Sequence, residues 1–345
     1  MQQIWIRKPG DVDVLDIAEA PSPEPGPSEV RISVRAVGIN FADLMARMGT
    51  YPDAPKLPAV VGYEVAGIID SCGAQVAGCV EGERVVALTR FGGYATEVCV
   101  HEDQVFALPS TLSFTDAAAI PVNYFTAYLA MYHFGNLQDG ERVLIQNAGG
   151  GVGIAATQLA KLRDVTVLGT ASAQKHTRLS ELGVDHLIDY RSENVTEAVR
   201  EATNGEGVHL VLDPLGGRSL KRDYEVLAPL GRIVAYGVSS MTGGRTRSLL
   251  RALRVLLRMP RFSPIALMND NAGVMGLNLG HLWGEIHRLR SIGEHILALA
   301  SDGTVEPRAA HTFPFDDVRA AHRFIHDRKN TGKVVLTVPE SLPES

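Results

Sequence analysis

The pattern of hydrophobic and polar positions changes near residue 122. Before it, short apolar or alternating runs are separated by glycine and polar residues, as in EVRISVRAVGIN, VVGYEVAGIIDS, GERVVAL and YATEVCV. Short runs of this kind are typical of strands, and many in succession predict a β-rich domain. The segment PSPEPGPSE among them predicts a turn-rich surface connection.

After residue 122 strand-like runs alternate with helical spacing. The strands are predicted in GERVLIQNA, DVTVLGTA, DHLIDY, HLVLDPLG and GRIVAYGV, with helices such as GIAATQLAKL and TRLSELG between them. This alternation predicts a parallel sheet covered on both faces. The tail, from about HLWGEIHRLRSIGEHILALASDG to the strand GKVVLTVP, is too small to form its own core. We therefore expect it to pack on the first domain, which makes that domain discontinuous.

Composition narrows the class of protein. The chain has 345 residues, of which 45% are hydrophobic and 21% charged, with a net charge of −6. This is an ordinary composition for a soluble protein and gives no reason to expect a nucleic-acid partner. We predict a reduced, cytoplasmic enzyme from three features of the sequence. The chain has only three cysteines, its N-terminus is unlike a signal peptide, and its most apolar segment is interrupted by Pro121.

A glycine-rich turn follows the strand RVLIQ and precedes a helix. Its sequence, NAGGGVG, contains the dinucleotide-binding form A-x-G-x-x-G, from Ala148 through Gly150 to Gly153. Gly150 would let the backbone approach a pyrophosphate, and the free N–H groups of the helix start, at Gly151 and Val152, would face that anion. The alternative is a purely structural turn.

The end of the next strand discriminates between the two nicotinamide cofactors. Sites for NAD usually have Asp or Glu there, about 20 residues beyond the turn, to bind the ribose hydroxyl. Here the strand ends in Thr170, Ala171 and Ser172, and Lys175 and Arg178 follow. Hydroxyls and a cation suit a 2′-phosphate, which favours NADPH over NADH. The alternative is that both cations belong to a solvated helix turn.

Several motifs together resemble one family. NFADLMARMGTYP, VVGYEVAG, VNYFTAY, NAGGGVG and NTGKVVL occur in the order found in medium-chain dehydrogenases/reductases. The chain is most similar to the zinc-independent quinone oxidoreductase branch and, within it, to the VAT-1 homologue group. The resemblance implies a discontinuous GroES-like catalytic domain (residues 1–122 and 281–345) and a Rossmann domain with a doubly wound parallel sheet (residues 123–280). It also implies a homodimer through edge strands near residues 273–279, GVMGLNL.

The resemblance also implies the site residues. Asn40 and Tyr51 are the catalytic candidates, either of which could donate a hydrogen bond to a substrate carbonyl. Asp43 is expected to have a structural role. The cofactor contacts are expected from Thr126, Ala148, Gly150, Gly151, Val152, Gly153, Thr170, Ser172, Lys175, Tyr190, Gly237, Ser239, Leu277, Asn330 and Lys333. The second tyrosine that quinone reductases often carry is replaced by Met45, which predicts a more apolar substrate site.

Zinc is not expected. Asn40 stands at the first ligand position, the familiar Gly-His-Glu reads Gly62-Tyr63-Glu64, and the chain has no four-cysteine cluster. Without a Lewis acid, hydride delivery to an already electrophilic carbon is favoured over alcohol oxidation. We therefore predict an NAD(P)H-dependent reductase of a quinone or an α,β-unsaturated carbonyl, with an enoyl-CoA thioester among the candidates. The alternative is a nucleotide-binding protein with a membrane-associated or regulatory role and little turnover.

One basic segment is left outside this interpretation. GGRTRSLLRALRVLLRMPRF contains Arg245, Arg247, Arg251, Arg254, Arg258 and Arg261. A solvated helix face is the default interpretation. The alternatives are contacts with the phosphates of a coenzyme A thioester or with an anionic membrane surface.

Overall fold

A computed structural model of the chain describes residues 1–242 and 249–339. Its strands are β1 (Gln2–Ile6), β2 (Leu15–Glu19), β3 (Glu29–Ile39), β4 (Ala59–Val60), β5 (Glu64–Cys72), β6 (Arg84–Leu88), β7 (Glu97–His101), β8 (Val105–Ala107), β9 (Arg142–Ile145), β10 (Thr166–Ala171), β11 (His186–Asp189), β12 (Val208–Asp213), β13 (Leu227–Ala235), β14 (Gly273–Gly276), β15 (His311–Pro314) and β16 (Val334–Thr337).

Its helices are α1 (Phe41–Arg47), α2 (Phe114–Ala117), α3 (Pro121–Tyr128), α4 (Gly151–Ala160), α5 (His176–Glu181), α6 (Val195–Ala202), α7 (Arg218–Glu225), α8 (Leu249–Leu257), α9 (Pro264–Asp270), α10 (Ile286–Ser301) and α11 (Val318–His326). Within the described ranges, no helix combines the length and the apolar character that a bilayer crossing requires.

The described residues divide into two compact units, residues 1–125 with 280–339 and residues 126–242 with 249–279. The first unit contains a sheet in the order β15-β16-β3-β5-β6-β8, with β7 also paired to β3, and a smaller sheet in the order β2-β1-β4. Its core consists of buried aliphatic residues of these strands, such as Ile32, Val65 and Leu336, together with Phe315 from the tail. The tail therefore contributes both strands and core residues to the unit that begins the chain.

The second unit is built on a parallel sheet in the order β11-β10-β9-β12-β13-β14. Renumbered within the unit, this order is 3-2-1-4-5-6, the Rossmann arrangement, which confirms the fold that the resemblance implies. The central strands are apolar on both faces, and Leu144, Leu168, Val211 and Ile233 belong to one buried cluster. Such continuous apolar strands are expected where helices cover both sides of a sheet.

Candidate active site

The strand register of the first unit brings three distant polar residues together. β3 and β16 are antiparallel neighbours with Ile39 opposite Val334, so Asn40 and Lys333 are the next residues at the same end. β5 begins with Glu64 and pairs with β3 as well. Asn40 and Lys333 are 293 positions apart in the chain, and only the sheet makes them neighbours.

Asn40, Glu64 and Lys333 form a buried hydrogen-bonded cluster. Lys333 Nζ donates to Asn40 Oδ1 at 2.7 Å and also to Glu64 Oε1. Asn40 Nδ2 donates to the same Glu64 oxygen at 2.7 Å, and the backbone N–H of Val122 donates to Glu64 Oε2 at 2.8 Å. The exposed fractions are 8% for Asn40, 0% for Glu64 and 4% for Lys333. Because these side chains are buried from solvent, their hydrogen bonds are electrostatically stronger than they would be in water.

The cluster fixes the orientation of the Asn40 amide. Its oxygen faces the ammonium of Lys333, which has donors only, so a rotated amide would place two donors against each other. One N–H of Asn40 Nδ2 is bound to Glu64, and the second has no acceptor among the described residues. Asn40 can therefore donate one further hydrogen bond to an oxygen placed beside it.

Asp43 connects the start of α1 to the segment before β5. Its Oδ2 accepts the backbone N–H of Asn40 at 2.7 Å, and its Oδ1 accepts that of Gly62 at 3.1 Å. Burial raises the pKa of Asp43 to about 7, although these two hydrogen bonds and the charge of Lys333 act in the opposite direction. Both oxygens are used by backbone donors, so the side chain holds Asn40 in place.

Three aromatic side chains pack together in the same unit. The rings of Tyr51 and Tyr63 meet edge to face with centroids 6.2 Å apart, and the ring centroids of Phe91 and Tyr63 are 5.4 Å apart. Tyr51 is half-buried, and burial raises the pKa of its phenol, so it is protonated at neutral pH. The buried hydroxyl of Tyr63 makes no hydrogen bond of good geometry within the described part of the chain, although it interacts with the phenol of Tyr51. Met45 is also buried.

The glycine-rich turn of the second unit joins β9 to α4. Gly150 is the N-cap of α4, and a Cβ at this position would lie 2.6 Å from Asn147 Nδ2. A Cβ at Gly153 would lie 2.5 Å from the carbonyl oxygen of Asn147. Gly153 is therefore required by the turn itself, because a real Cβ cannot approach backbone atoms so closely, whereas a side chain at Gly150 would displace the Asn147 amide. The N-terminal N–H groups of a helix longer than two turns can then face an anion.

The end of β10 carries the residues expected to select the cofactor. A Cβ at Gly149 would lie 2.7 Å from Lys175 Cδ, so the Lys175 side chain runs along the turn. From the end of β10 to Lys175 the sequence is Ala-Ser-Ala-Gln-Lys, without an acid. Arg178 pairs instead with Glu181 at 3.1 Å on the exposed face of α5. Lys175 is therefore the better-placed cation of the two.

Thr170 has a different role from the expected contact with the 2′-phosphate. Its Oγ1 donates to Gln146 Oε1 at 2.8 Å and accepts the backbone N–H of Asn147 at 3.0 Å. The hydroxyl is thus engaged beneath the turn. Ser172 is buried and is the N-cap of a short 3-10 helix. The backbone N–H of Ala148 donates to the carbonyl oxygen of Thr170 at 2.9 Å.

Other predicted cofactor residues also have defined positions. Gly237 follows β13, and a Cβ there would lie 2.7 Å from the carbonyl oxygen of Pro214. The N–H of Ser239 donates to that same oxygen at 3.0 Å. Leu277 is buried and donates its N–H to Ala235 at 2.9 Å, and Tyr190 is 39% exposed.

The predicted residues are divided between the two units. Thr126 is buried in the second unit, as a residue of α3. Asn330, which donates to the carbonyl of Gly332 at 3.0 Å, belongs with Lys333 to the first unit. Lys333 was assigned to the cofactor phosphates from its motif, whereas its ammonium lies against Glu64 and Asn40.

Sequence reasoning did not assign a role to two buried polar residues near the turn, Gln146 and Asp223. Gln146 Nε2 donates to Asp223 Oδ1 at 2.6 Å, across 77 positions of the chain. The position of Gln146 directly before the glycine-rich turn was a usable signal. Asp223 has none, because it lies in a helix with an ordinary polar sequence.

The basic segment is only partly described. Arg245 and Arg247 lie outside the described residues, and the side chain of Arg251 is not described either. Arg254, Arg258 and Arg261 are exposed. Exposed apolar residues stand among and after them, namely Leu253, Leu256, Leu257, Ile265 and Met268.

Two family models match the chain. Residues 26–110 match the alcohol dehydrogenase GroES-like domain, and residues 182–336 match a model described as zinc-binding dehydrogenase. The first match confirms the GroES-like domain expected from the resemblance.

Individual proteins match over almost the whole chain. The synaptic vesicle membrane protein VAT-1 homolog of Rattus norvegicus is 40% identical over 330 residues, covering 95% of this chain and 81% of the relative. The structure of Escherichia coli quinone oxidoreductase complexed with NADPH has a TM-score of 0.87 and 27% identity, covering 98% of this chain and 100% of its own. The CurK enoyl reductase has a TM-score of 0.83 and 28% identity, with coverages of 98% and 99%.

The description of the second family model raises the question of zinc, and the residues present do not fit it. Glu64 Oε1 is bound to an ammonium and an amide, and Oε2 is bound to a backbone N–H. Asn40 and Tyr63 offer an amide and a phenol where zinc sites use thiolate and imidazole. Across residues 1–242 and 249–339, no group of three or more His, Cys, Asp or Glu side chains is arranged to hold a metal.

Proposed function

Because this chain belongs to the medium-chain dehydrogenase/reductase family, in its VAT-1 homologue group, we propose that it is an NADPH-dependent reductase of an activated C=C bond or a quinone. The similar solved structures include a quinone oxidoreductase complexed with NADPH and an enoyl reductase, which supports this reaction class. The bound nicotinamide would supply the hydride. The residues of this chain bind the cofactor, orient the substrate and stabilise the charge that develops on its oxygen.

The observation that carries the proposal is the orientation of the Asn40 amide. Hydride addition to the β-carbon of an enone, or to a quinone ring, places negative charge on the carbonyl oxygen. A fixed N–H donor stabilises that oxyanion without reorganisation during the reaction. Lys333 and Glu64 hold Asn40 with one N–H still available. Because Lys333 neutralises Glu64, the developing oxyanion would not face an uncompensated carboxylate.

Tyr51 is the proposed proton donor. A phenol is protonated at neutral pH, as a general acid must be before the transfer, and burial, which raises the pKa of Tyr51, preserves that state. The proton would go to the enolate or phenolate that the hydride addition leaves. Asp43 does not compete for this role, because its two oxygens accept backbone N–H groups.

NADPH is proposed over NADH on the position of Lys175. Its side chain lies against the turn at Gly149, and the end of β10 lacks the acid that binds a free ribose hydroxyl. A 2′-phosphate would find a cation here.

The test is a substrate panel with purified protein. NADPH oxidation is followed with quinones, enones and enoyl-CoA thioesters, and we expect turnover with at least one class. Asn40→Ala should lower kcat/KM by about 10²-fold, as for the loss of one oxyanion donor, without weakening NADPH binding. Asn40→Ser is the matched control, since its shorter hydroxyl can restore part of the activity. Tight NADPH binding without turnover on any substrate would overturn the proposal.

Catalysis without zinc is part of the same proposal. We expect substoichiometric zinc in elemental analysis of the purified protein and full activity after treatment with a chelator. Stoichiometric metal, lost together with activity, would contradict it and would favour an alcohol dehydrogenase.

A second candidate function is attachment to an anionic membrane. The observation that favours it is the exposed surface of α8 and α9. Leu257 is 77% exposed and Met268 is 75% exposed, and Arg254 and Arg258 stand beside the leucines of α8. Apolar side chains with adjacent arginines suit the interface of an anionic bilayer. Flotation with phosphatidylserine vesicles tests this, with Arg254→Glu/Arg258→Glu as the variant and phosphatidylcholine vesicles as the control. Equal flotation of both proteins would exclude it.

We also propose a homodimer formed through β14. Within the described residues no strand pairs with the outer edge of β14, and the half-buried Val274 and Met275 lie on this strand. An apolar edge strand left open is a site of association, which strand pairing with a second copy would satisfy. Light scattering should give twice the mass of the chain, and Val274→Pro should lower it to one chain.

A further inference from the structure

A continuous chain of hydrogen bonds runs beneath the cofactor turn. The backbone N–H of Asn147 donates to Thr170 Oγ1 at 3.0 Å, and that hydroxyl donates to Gln146 Oε1 at 2.8 Å. Gln146 Nε2 then donates to Asp223 Oδ1 at 2.6 Å. Asn147 needs such support because its φ is +56°, in the left-handed region that non-glycine residues rarely adopt. The turn is thus held by a carboxyl group of α7.

A second carboxyl group, that of Asp213 at the end of β12, lies within hydrogen-bonding reach of the Asp223 side chain. Its Oδ1 accepts the backbone N–H groups of Leu215 and, at 3.0 Å, of Gly216. Its Oδ2 is buried and has no donor among the described residues. Asp213 is 0% exposed and Asp223 is 1% exposed, so water does not reach either side chain from the surface.

The count of donors and acceptors leaves one place for a proton. Asp223 Oδ1 accepts from Gln146, and Asp223 Oδ2 has only a long contact, 3.3 Å, with the Ser219 hydroxyl. A buried acceptor without a donor is costly, and so is a pair of adjacent buried negative charges. A proton on Asp223 that is donated to Asp213 removes both costs.

We propose that Asp213 and Asp223 share one proton and act together as positioning residues that hold the cofactor turn in its binding shape. The pair joins three parts of the second unit: the turn after β9, the loop after β12 and α7. β9 and β12 are adjacent in the sheet, on the two sides of the point where the strand order reverses. Dinucleotides bind at that point in folds of this type. The role in cofactor binding rests on the proposed function, whereas the shared proton does not.

The electrostatic surroundings agree with this assignment. Burial, followed by the proximity of Asp213, raises the pKa of Asp223 to about 9, while the hydrogen bond from Gln146 and the charge of Arg222 act in the opposite direction. Tyr236, directly after β13, is half-buried, and desolvation followed by the charge of Asp213 raises its pKa, so it stays neutral. A proton on Asp223 at neutral pH thus avoids repulsion between two adjacent buried carboxylates. Loss of this proton above about pH 9 introduces that repulsion.

The first experiment needs no cofactor. Infrared spectra are compared at pH 8, where Asp43, with a pKa of about 7, is mostly ionised. The wild type should show the C=O stretch of a protonated carboxyl group that is much weaker in Asp223→Asn and that the wild type loses above about pH 9. Asp302→Asn, which removes an exposed carboxylate of the other unit, should leave the band unchanged. Identical spectra of the wild type and Asp223→Asn in this region at pH 8 would overturn the proposal, whatever the protein binds.

The second experiment measures NADPH affinity by fluorescence titration. In the wild type, we expect NADPH affinity to fall above about pH 9, where Asp223 loses its proton. Asp223→Asn keeps an oxygen for Gln146 and offers an NH₂ to Asp213. We therefore expect its NADPH affinity to be within about threefold of wild type at neutral pH and not to fall above pH 9. Asp223→Leu removes the acceptor and the donor and should weaken binding by about tenfold or more. Equal loss in both variants would mean that an ionised carboxylate is required, and would refute the shared proton. If the infrared band is present but the protein does not bind NADPH, only the proposed cofactor role fails.

Discussion

The ammonium of Lys333 and the carboxylate of Glu64 form an ion pair that is almost completely withdrawn from solvent. Lys333 also donates a hydrogen bond to Asn40, and Glu64 also accepts one from the backbone N–H of Val122. Burying two charges is favourable only with such complete pairing, and removing one partner leaves the other uncompensated.

Lys333→Met should therefore lower the free energy of unfolding by about 3–5 kcal/mol, because Glu64 would remain as a buried, unpaired charge. The double variant Lys333→Met/Glu64→Gln should be clearly more stable than the single one. Urea denaturation of the wild type, both single variants and the double variant gives the coupling energy. Additive effects, with no coupling, would mean that the pair is not formed in solution.

Lys175→Ala should change cofactor preference rather than activity in general. The side chain runs along the turn at Gly149, where it can reach a 2′-phosphate but has nothing equivalent to bind in NADH. Loss of a charge-assisted contact of about 1.5–3 kcal/mol should raise the Kd for NADPH by about 10- to 100-fold. The Kd for NADH should change by less than about threefold.

Arg178→Ala is the matched control for this cation. Its guanidinium pairs with Glu181 on the exposed face of α5, so its loss should leave both affinities near those of the wild type. If Arg178→Ala weakened NADPH binding selectively and Lys175→Ala did not, the 2′-phosphate would be bound by Arg178 rather than by Lys175.

Tyr51→Phe and Tyr63→Phe remove neighbouring hydroxyls with different expected effects. The first should lower kcat by about 10²-fold, the usual contribution of a general acid, with the Kd for NADPH unchanged. The second should raise the free energy of unfolding by about 1 kcal/mol, because it removes a buried hydroxyl that makes no hydrogen bond of good geometry in the described part of the chain. Steady-state kinetics and urea denaturation of both variants separate the two roles. Destabilisation by Tyr63→Phe would show that its hydroxyl is hydrogen-bonded in solution.

Local features of the sequence predict much more of the fold than of the candidate site. The strand, turn and helix around Gly150 could be predicted because their signal lies within about twenty consecutive residues. Such signals depend on side-chain periodicity and on glycine, which act locally. The edge position of residues 273–279, by contrast, is implied by the family resemblance, and β14 (Gly273–Gly276) lies at the end of the sheet order among the described residues.

The polar contacts could not be predicted in the same way. Lys333 and Glu64 are 269 positions apart, and Gln146 and Asp223 are 77 apart, so their pairing depends on sheet order and register. Thr170 illustrates the consequence. Its position at the end of β10 was predicted, but its hydroxyl is hydrogen-bonded to Gln146 and to the backbone N–H of Asn147. Which neighbour a polar side chain binds is decided by the assembled structure.

His322 leads to a prediction on the pH dependence of stability. It is fully buried and hydrogen-bonded to Tyr94 at 2.9 Å, and burial, with Arg47 and His326 nearby, holds its pKa well below the ordinary value. Unfolding restores a pKa of about 6.5, so below that pH the unfolded state binds a proton that the folded state does not. His322 therefore lowers stability as pH falls, by about 1.4 kcal/mol per unit below about pH 6.5.

Asp43 acts in the opposite direction over the same range, so the wild-type curve alone is not diagnostic. Its folded pKa of about 7 is above the unfolded value, and the folded state therefore gains stability as pH falls from 7 toward 4. The difference between the wild type and His322→Gln isolates the histidine. Relative to this variant, the wild type should lose about 1 kcal/mol in the free energy of unfolding between pH 6.5 and 5.5, measured by urea denaturation at each pH. Parallel curves would mean that His322 is protonated in the folded protein, which its burial beside Arg47 opposes because a second buried cation would have no counter-charge.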